Sequence, residues 1–439
     1  MALNRLFSRV LLSLVLVSGL LAGHVHSEQT DEQRTIMDKT ELLRQAWETY
    51  HATSAEMREW TESMPRFQEN PAHRAKAYHS LLEAQAMAYS LAVATRSEHP
   101  VIHTRLWFSE FYTLGGTSPD FYYGGLFLDG SKNYKITGHF GDYKLIVAQA
   151  FSHLMGHPDI KMLGNFEFDK FELGEDGSFE IIVSAEEHEG NWIPLDPDSR
   201  HNFFFIRRAV ADWNDELGDM KVTLLSEPSV YDEQDMELQA ERILLASHFM
   251  RFLVKQWNTG IYDTYLSYND GKKNSAVVVP GSAIAVSTMG SPSTNYVWGV
   301  YDLQEDEALI VELEVPDAKY WGFQLFDVWC KPLDFVNRQT DVNMSRVAVD
   351  SDGKYRVVIS AEDPGVANWL DPAGRLEGTM VGRNYLSETV PAQPVVKLVK
   401  AAEVLKHLPA DTKLVTPEQR QEALEYRRTS YLKMFNEIK

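Results

Sequence analysis

The groups best suited to chemistry gather between residues 362 and 383, where Glu362, Asn368, Trp369, Asp371, Arg375 and Arg383 follow one another closely. An indole offers a flat apolar platform with one donor, an asparagine amide bonds a ligand or nearby backbone, and a guanidinium can grip a carboxylate in bidentate fashion. The set predicts a site in which an anionic or carbonyl-bearing molecule stacks on Trp369 and is held by Arg375 or Arg383, with Trp321, Asn368 and Arg338 as further ligand-binding residues. Glu362 and Asp371, with Arg375 and Arg383 stabilising charge, are the candidate catalytic groups if the site does acid–base work. The same residues also suit plain structure: Asn368 and Asp371 capping a tight turn, Trp369 filling a core, Arg383 pairing with a buried carboxylate.

Glu186 and Glu362 end equivalent segments and could face one cleft as paired carboxylates, an arrangement that suits saccharide chemistry. His139, His153, His157, His188 and His201 could serve as bases or ligands, but no glutamate completes a zinc-protease spacing around His153 and His157; no metal and no cofactor is expected. Neither Gly-x-Ser-x-Gly, nor Ser-x-x-Lys with its accompanying motifs, nor a phosphate-cradling glycine loop followed by lysine occurs. Serine hydrolases of the α/β type and nucleotide-dependent chemistry are therefore excluded. Cys330 is the only cysteine. It follows Asp327-Val328-Trp329 in an apolar run, so it reads as a buried structural thiol, and no intrachain disulfide can form.

The chain that positions these residues repeats itself. Asp176-Gly177-Ser178-Phe179-Glu180-Ile181-Ile182-Val183-Ser184-Ala185-Glu186 is answered by Asp352-Gly353-Lys354-Tyr355-Arg356-Val357-Val358-Ile359-Ser360-Ala361-Glu362, and both copies run on to Asn-Trp, Leu-Asp-Pro and arginine. Upstream, the stretch from Tyr143 lies opposite that from Tyr320, and Tyr122 opposite Tyr296. Such an ordered series predicts a duplicated unit of helices followed by a β-sandwich.

Residues 31–64 and 71–97, rich in Ala, Leu, Glu, Met and Gln, predict two helices. From Trp107 to Val222 the texture is aromatic and β-branched, with Asp-Gly at 129 and 176 and Gly-Gly at 124 predicting antiparallel hairpins. The aromatic runs Phe108 to Tyr112, Phe121 to Tyr123 and Phe203 to Phe205 read as strand and core residues. Residues 233–258 predict a helix with Ile243, Ala246, Met250, Leu253 and Trp257 on one packing stripe. The stretches 394–407 and 417–438 predict two short closing helices. The expected organisation is 1–27 signal peptide, 28–105 helical region, 106–225 first sandwich half, 226–259 connecting helix, 260–395 second sandwich half and 396–439 C-terminal helices. The fold class is mainly β with flanking helices (α+β), two tandem jelly-roll-like sandwiches from an internal duplication.

Tyr320-Trp321-Gly322-Phe323-Gln324-Leu325, Val336-Asn337-Arg338-Gln339 and Asp363-Pro364-Gly365-Val366-Ala367-Asn368-Trp369-Leu370-Asp371, with Gly374, Gly378 and Arg383 downstream, resemble the bacterial domain of unknown function 1214. The resemblance covers roughly residues 290–390 and implies a jelly-roll-like sandwich without implying an activity. The first half resembles the family through the internal repeat and Tyr134-Lys135-Ile136-Thr137-Gly138, as a degenerate copy like the companion family 1254. It departs at Ser199 and Phe203, which stand where the second half has Gly374 and Gly378.

Arg5 and Arg9, the apolar stretch Leu11 to Leu21 and Val25-His26-Ser27 have the form of a cleavable secretory signal without a lipid-modified cysteine, and predict a periplasmic or secreted protein. The formal charge of −21, which loss of the leader would take to −23, repels nucleic acid and anionic lipid. Neither a nucleic-acid partner nor a stable membrane span after cleavage is expected. The leading functional reading is the binding of a small organic ligand, a carboxylate, saccharide or lipid-like molecule, in the second half. The alternatives are a periplasmic hydrolase or lyase using Glu or Asp with Arg, and a structural or assembly component that self-associates into a homo-oligomer.

Overall fold

The glycine-poor runs at the start form helices in the computed structural model, which describes residues 31–104, 113, 115–228, 232–288 and 290–437. The expected signal peptide and the aromatic run from Phe108 to Tyr112 lie outside those residues. The helices are α1 (Asp31–Glu62), α2 (Pro65–Glu69) and α3 (Arg74–Ala88), the last running into a π-helical turn at Tyr89–Val93. Among the described residues no helix is long and apolar enough to cross a membrane.

The first β region contains β1 (Phe121–Leu128), β2 (Tyr134–His139), β3 (Leu145–Phe151), β4 (Met162–Glu167), β5 (Ser178–Ser184), β6 (Trp192–Pro194), β7 (Asn202–Ala209) and β8 (Met220–Leu224). They make two sheets, in the orders β1-β7-β3-β4 and β6-β5-β2-β8. α4 (Met236–Phe252) follows, with Asp235 capping it by accepting from the amides of Glu237 at 3.0 Å and Leu238 at 3.2 Å. A π-helical stretch, Leu253–Thr259, leads into α5 (Gly260–Tyr268). The second region contains β9 (Ser275–Pro280), α6 (Gly281–Thr288), β10 (Thr294–Asp302), β11 (Glu307–Glu314), β12 (Ala318–Phe326), β13 (Asp341–Asn343), β14 (Lys354–Ser360), β15 (Trp369–Leu370), β16 (Glu377–Ser387) and β17 (Val395–Lys400). Its sheets run β9-β10-β16-β12-β13 and β17-β11-β14-β15. Strand for strand this is the first region again, with β9 added at one edge. Even the short parallel pairing of β5 with β6 recurs in β14 with β15.

Two expectations are corrected by the pairing. Asp129-Gly130 and Asp176-Gly177 do not close hairpins: β1 pairs with β7, while β2 pairs with β5 and β8, so these turns carry the chain from one sheet to the other. An Asp-Gly pair encodes a reversal of direction, not the sheet that receives the next strand. Residues 395–400 are a strand on β11 rather than the start of a helix, followed by a 3-10 turn at Ala401–Lys406. The valine-rich alternation Val395-Val396-Lys397-Leu398-Val399-Lys400 favours that strand, and it is the repeat mate of β8. The last helix, α7 (Pro417–Glu437), starts where predicted; Thr416 and Gln419 exchange bonds of 2.9 and 3.3 Å in a capping box.

The larger sheets are apolar on both faces because each lies between a smaller sheet and the helices. Along β1, Tyr122, Leu126 and Leu128 face the sandwich interior, whereas Phe121, Tyr123 and Phe127 pack on Met57, Met87, Leu91, Phe249, Met250 and Leu253 of the helical layer. Wholly buried strands of this kind lose the alternation that exposes one face to water. The predicted stripe of α4 packs there too, through Ala246, Met250, Leu253 and Trp257.

The halves are fastened by buried polar groups. Asp120, just before β1, accepts from Trp213 Nε1 at 2.7 Å, Tyr320 Oη at 2.6 Å, Asn343 Nδ2 at 3.0 Å and Arg346 Nη2 at 2.8 Å. Arg346 also bonds Asp341, which pairs with Arg427 of α7. A second buried pair ties α3 to the segment after β12: Lys331 Nζ lies 3.2 Å from Glu83 Oε2 and donates to the Thr113 carbonyl at 2.8 Å.

Candidate functional site

The repeated Ser-Ala-Glu strand and its Asn-Trp successor perform the same structural task in both halves. Asn368 accepts from the Ala348 amide at 2.8 Å and donates to the Ala348 carbonyl at 2.7 Å. Its repeat mate Asn191 does the same with Glu172, at 2.8 and 2.9 Å. The indole N–H of Trp369 donates to the Ser360 carbonyl at 3.1 Å, and that of Trp192 to the Ser184 carbonyl at 3.2 Å. Bonds repeated in two separate loops, one in each sandwich, are spent on folding rather than on a ligand. Asn368 is therefore a loop clamp, and Trp369 packs under Arg420 of α7, whose guanidinium lies 5.5 Å from the ring centroid.

The remaining predicted residues do not share one place. A surface groove of about 620 Å³ gathers Trp369, Asp371 and Arg338, with Arg338 donating to Asp371 at 2.7 Å. Trp321 lies in the closed second sandwich against Tyr355, with ring centroids 4.9 Å apart, and cannot border that groove. Glu362 is exposed beyond β14, and Glu186 is exposed beyond β5 in the other sandwich, so the two carboxylates do not form a pair. Arg375 lines a different groove, beside His73, Lys76 and Glu377. Arg383 belongs to neither: it lies buried on the helical side of β16.

The histidines group differently from expectation. His153 and His157, in the turn after β3, stack with ring centroids 4.0 Å apart, and His248 of α4 stands 6.3 Å from His157. Among the described residues no group of three or more His, Cys, Asp or Glu is arranged to hold a metal ion. Burial, then repulsion from His153 and His248, lowers His157 from the usual 6.5 to about 4; burial, then Arg242, lowers His201 to about 3. Burial also lowers His153 and His248, with Asp196 and Asp159 opposing it at His153 and Arg251 adding to it at His248. These histidines take up protons in the unfolded chain before they do so in the folded one. Stability present above pH 6.5 is therefore lost as pH falls toward these folded values, by on the order of 1 kcal/mol for His157 at pH 5 after allowing for its partial exposure. Urea midpoints at pH 7 and pH 5 should fall farther for the wild type than for His157→Gln. Equal falls in the two proteins would remove His157 from the account.

A pocket that draws on both halves lies between the two large sheets and the helical layer, a cavity of about 90 Å³ walled by Phe205, Trp257, Ile261, Trp298 and Val381. The π-helical stretch before α5 brings Trp257 to this wall, and such interruptions of α-helix commonly mark functional positions. Its polar groups are a repeat pair. On one side Tyr123 stands in register with Arg207, which donates to Gln149; on the other Tyr296 stands in register with Arg383, which donates to Gln324 at 3.3 Å. The Tyr123 hydroxyl accepts from the Ser118 amide at 2.9 Å and the Tyr296 hydroxyl from the Ser291 amide at 3.1 Å. The glutamines cross between halves: Gln149 donates to the Gly290 carbonyl at 2.9 Å, and Gln324 to the Thr117 carbonyl at 3.1 Å. Arg383 also donates to the Gly116 carbonyl at 2.5 Å, and the Gly116 amide donates to the Cys330 carbonyl at 2.8 Å. Cys330 is buried as expected, and burial pushes its thiol up to about 12.

Arg383 has no ion-pair partner among the described residues. Burial opposes its charge, but the surrounding tyrosines, Tyr123, Tyr385, Tyr265 and Tyr296, more than offset that and raise its pKa. The hydroxyls of Tyr265 and Tyr385, which line the cavity, make no hydrogen bond among the described residues. The sequence signal for this site is the equivalence of Arg207 with Arg383 and of Gln149 with Gln324. An alignment that sets Tyr122 opposite Tyr296 hides it, because Tyr122 faces the sandwich interior and its neighbour Tyr123 is the true mate. A slip of one residue exchanges the faces of a strand.

No curated protein matches the chain. A solved uncharacterised protein from Burkholderia cenocepacia is similar over 83% of this chain and 99% of its own, at 25% identity and a TM-score of 0.73. The VPA0106 protein from Vibrio parahaemolyticus covers 73% of this chain and 98% of its own, at 12% identity and a TM-score of 0.45. Residues 124–211 match the family described as "Protein of unknown function (DUF1214)". That stretch runs from β1 past β7 and carries Gln149 and Arg207, whereas the motifs quoted for the resemblance stand in the second half. Residues 124–211 are thus similar to the DUF1214 family, and the strand order of the region that holds them recurs in the second region of this chain.

Proposed function

We propose that the protein is an exported binding protein for a small organic anion, held in the cavity between the two halves rather than at the Trp369 groove. The observation that carries this reading is that repeat-related arginines, one from each half, line one aromatic pocket. A buried guanidinium with unused donors is costly unless an acceptor completes it, and a carboxylate matches its fork. The aromatic wall supplies apolar burial for the rest of the ligand. A volume of about 90 Å³ admits roughly six to nine water-sized groups, so the molecule is small. Export rests on the basic, apolar and small-residue order of the first 27 positions.

The test is a thermal melt of the mature protein with small carboxylates, against chloride at equal ionic strength. A ligand at a hundredfold excess over its Kd contributes about 2.7 kcal/mol, a rise of roughly 3 °C for a chain of this length. Arg383→Met should abolish the shift, read against that variant's own unliganded melt. If no carboxylate moves the wild-type melt, or if the shift survives in the variant, the cavity is not the binding site.

A further inference from the structure

Resting on that reading, we infer that the ligand is a short hydroxy or oxo acid of about three carbons, its carboxylate on Arg383 and its second oxygen on the neutral hydroxyls beside it. Three lining residues each carry a polar group that bonds nothing among the described residues: the hydroxyls of Tyr265 and Tyr385 and the indole N–H of Trp298. All three residues are more than nine-tenths buried, at 5%, 3% and 3% exposed. A polar group withdrawn from bulk water in this way costs folding free energy until a partner reaches it.

The strand register places these groups around Arg383. On β16, Arg383 lies between Val381 and Tyr385 at alternate positions, about 6.6 Å from each along the strand, and all three line the pocket. On β10, Tyr296 stands opposite Arg383 and Trp298 opposite Val381, so Trp298 is the diagonal neighbour of Arg383 at about 7–8 Å. Tyr265 of α5 lies on Trp298, with ring centroids 4.6 Å apart and planes 21° from parallel. Of the five N–H donors of a guanidinium, Arg383 uses two on Gln324 and Gly116. A carboxylate can take the remainder. A plain carboxylic acid would leave the two phenols unused, whereas an oxygen on its chain gives them a partner. Burial, then Cys330, raises Tyr265 well above its ordinary value with Arg383 opposing, so its hydroxyl keeps its proton and can donate. An amino acid fits poorly, because no aspartate or glutamate is among the described lining residues and an ammonium would meet Arg383 without a counter-charge. The volume of about 90 Å³ suits so small a molecule.

The experiment is calorimetric titration of the mature protein with propionate, lactate, 3-hydroxypropionate, pyruvate and alanine, which share a three-carbon skeleton. At least one of the oxygenated acids should bind about 10- to 100-fold more tightly than propionate, the value of one or two hydrogen bonds. Alanine should bind more weakly than propionate. Tyr265→Phe combined with Tyr385→Phe removes two hydroxyls that hold nothing in the fold. It should bring the preferred acid to within about threefold of propionate and leave propionate itself unchanged. If every oxygenated acid binds the wild type within about threefold of propionate, if alanine matches the best of them, or if the preference survives in the double variant, the assignment fails while anion binding stands. If no acid binds, both fail. The acid series uses only the wild-type protein, so a variant that does not fold leaves the assignment open to refutation.

Discussion

Replacing Asp120 with alanine lowers the unfolding free energy by about 3–5 kcal/mol. Its carboxylate is the common acceptor for Trp213, Tyr320, Asn343 and Arg346, and it is almost fully buried. Alanine leaves three neutral donors and part of a guanidinium without an acceptor, in a region that water does not reach, so the desolvation costs accumulate. Three of the four donors come from the second half, whereas Asp120 leads the first, so the loss falls on the contact between halves. Guanidinium unfolding followed by tryptophan fluorescence measures it. In the wild type the halves should unfold together; in the variant the transition should broaden or split. A midpoint shift worth less than about 1 kcal/mol would show that the carboxylate is not what fastens the halves.

Glu83→Ala should cost a similar amount, about 3–5 kcal/mol, and for a related reason. Lys331 is buried among Glu83, the Thr113 carbonyl and the Asp327 segment, and burial already lowers its pKa, with Glu83 opposing that fall. Without Glu83 the ammonium either remains charged in an apolar setting or gives up its proton. Because its folded pKa lies below the unfolded value, the unfolded chain then binds more protons, and the variant should gain stability as pH rises toward the usual lysine range. The double change Glu83→Leu with Lys331→Met should recover most of the loss, since a buried pair replaced by apolar groups of similar volume is close to neutral. Urea midpoints of the single and double variants at pH 7 and pH 9 provide the check. A double variant as unstable as the single one would mean that the cost comes from packing, not from charge.

The architecture was legible because the repeat is written in strand residues: Ser178 to Ser184 and Lys354 to Ser360 keep their apolar alternation and place β5 and β14 in equivalent sheets. Which strands pair was not legible, since an Asp-Gly turn looks the same whether the chain returns to its own sheet or crosses to the facing one. The candidate site was legible in part. Arg383 was named, but with neighbours in sequence, Trp369 and Asp371, that structure carries to another surface. Its partners in space, Arg207 and Tyr123, come from 176 and 260 positions earlier. Conspicuous polar clusters such as Asn368-Trp369-Leu370-Asp371 attract attention because polar residues crowd wherever a loop needs clamping, and the hydrogen bonds of Asn191 and Asn368 show that need met twice.

The crossed glutamine bonds carry one more consequence. Gln149 reaches into the second half at the position where Gln324 reaches into the first, so each half gives the other what it receives. That reciprocity defines the isologous contact of a twofold-symmetric dimer. The chain is in this sense a dimer whose subunits have been joined end to end, with residues of both lining its cavity. Joining the subunits frees each copy to change on its own. The turn after β6 and β15 has used that freedom, as Ser199 against Gly374 attests, while Tyr123 and Tyr296, Arg207 and Arg383, and Gln149 and Gln324 still form matched pairs.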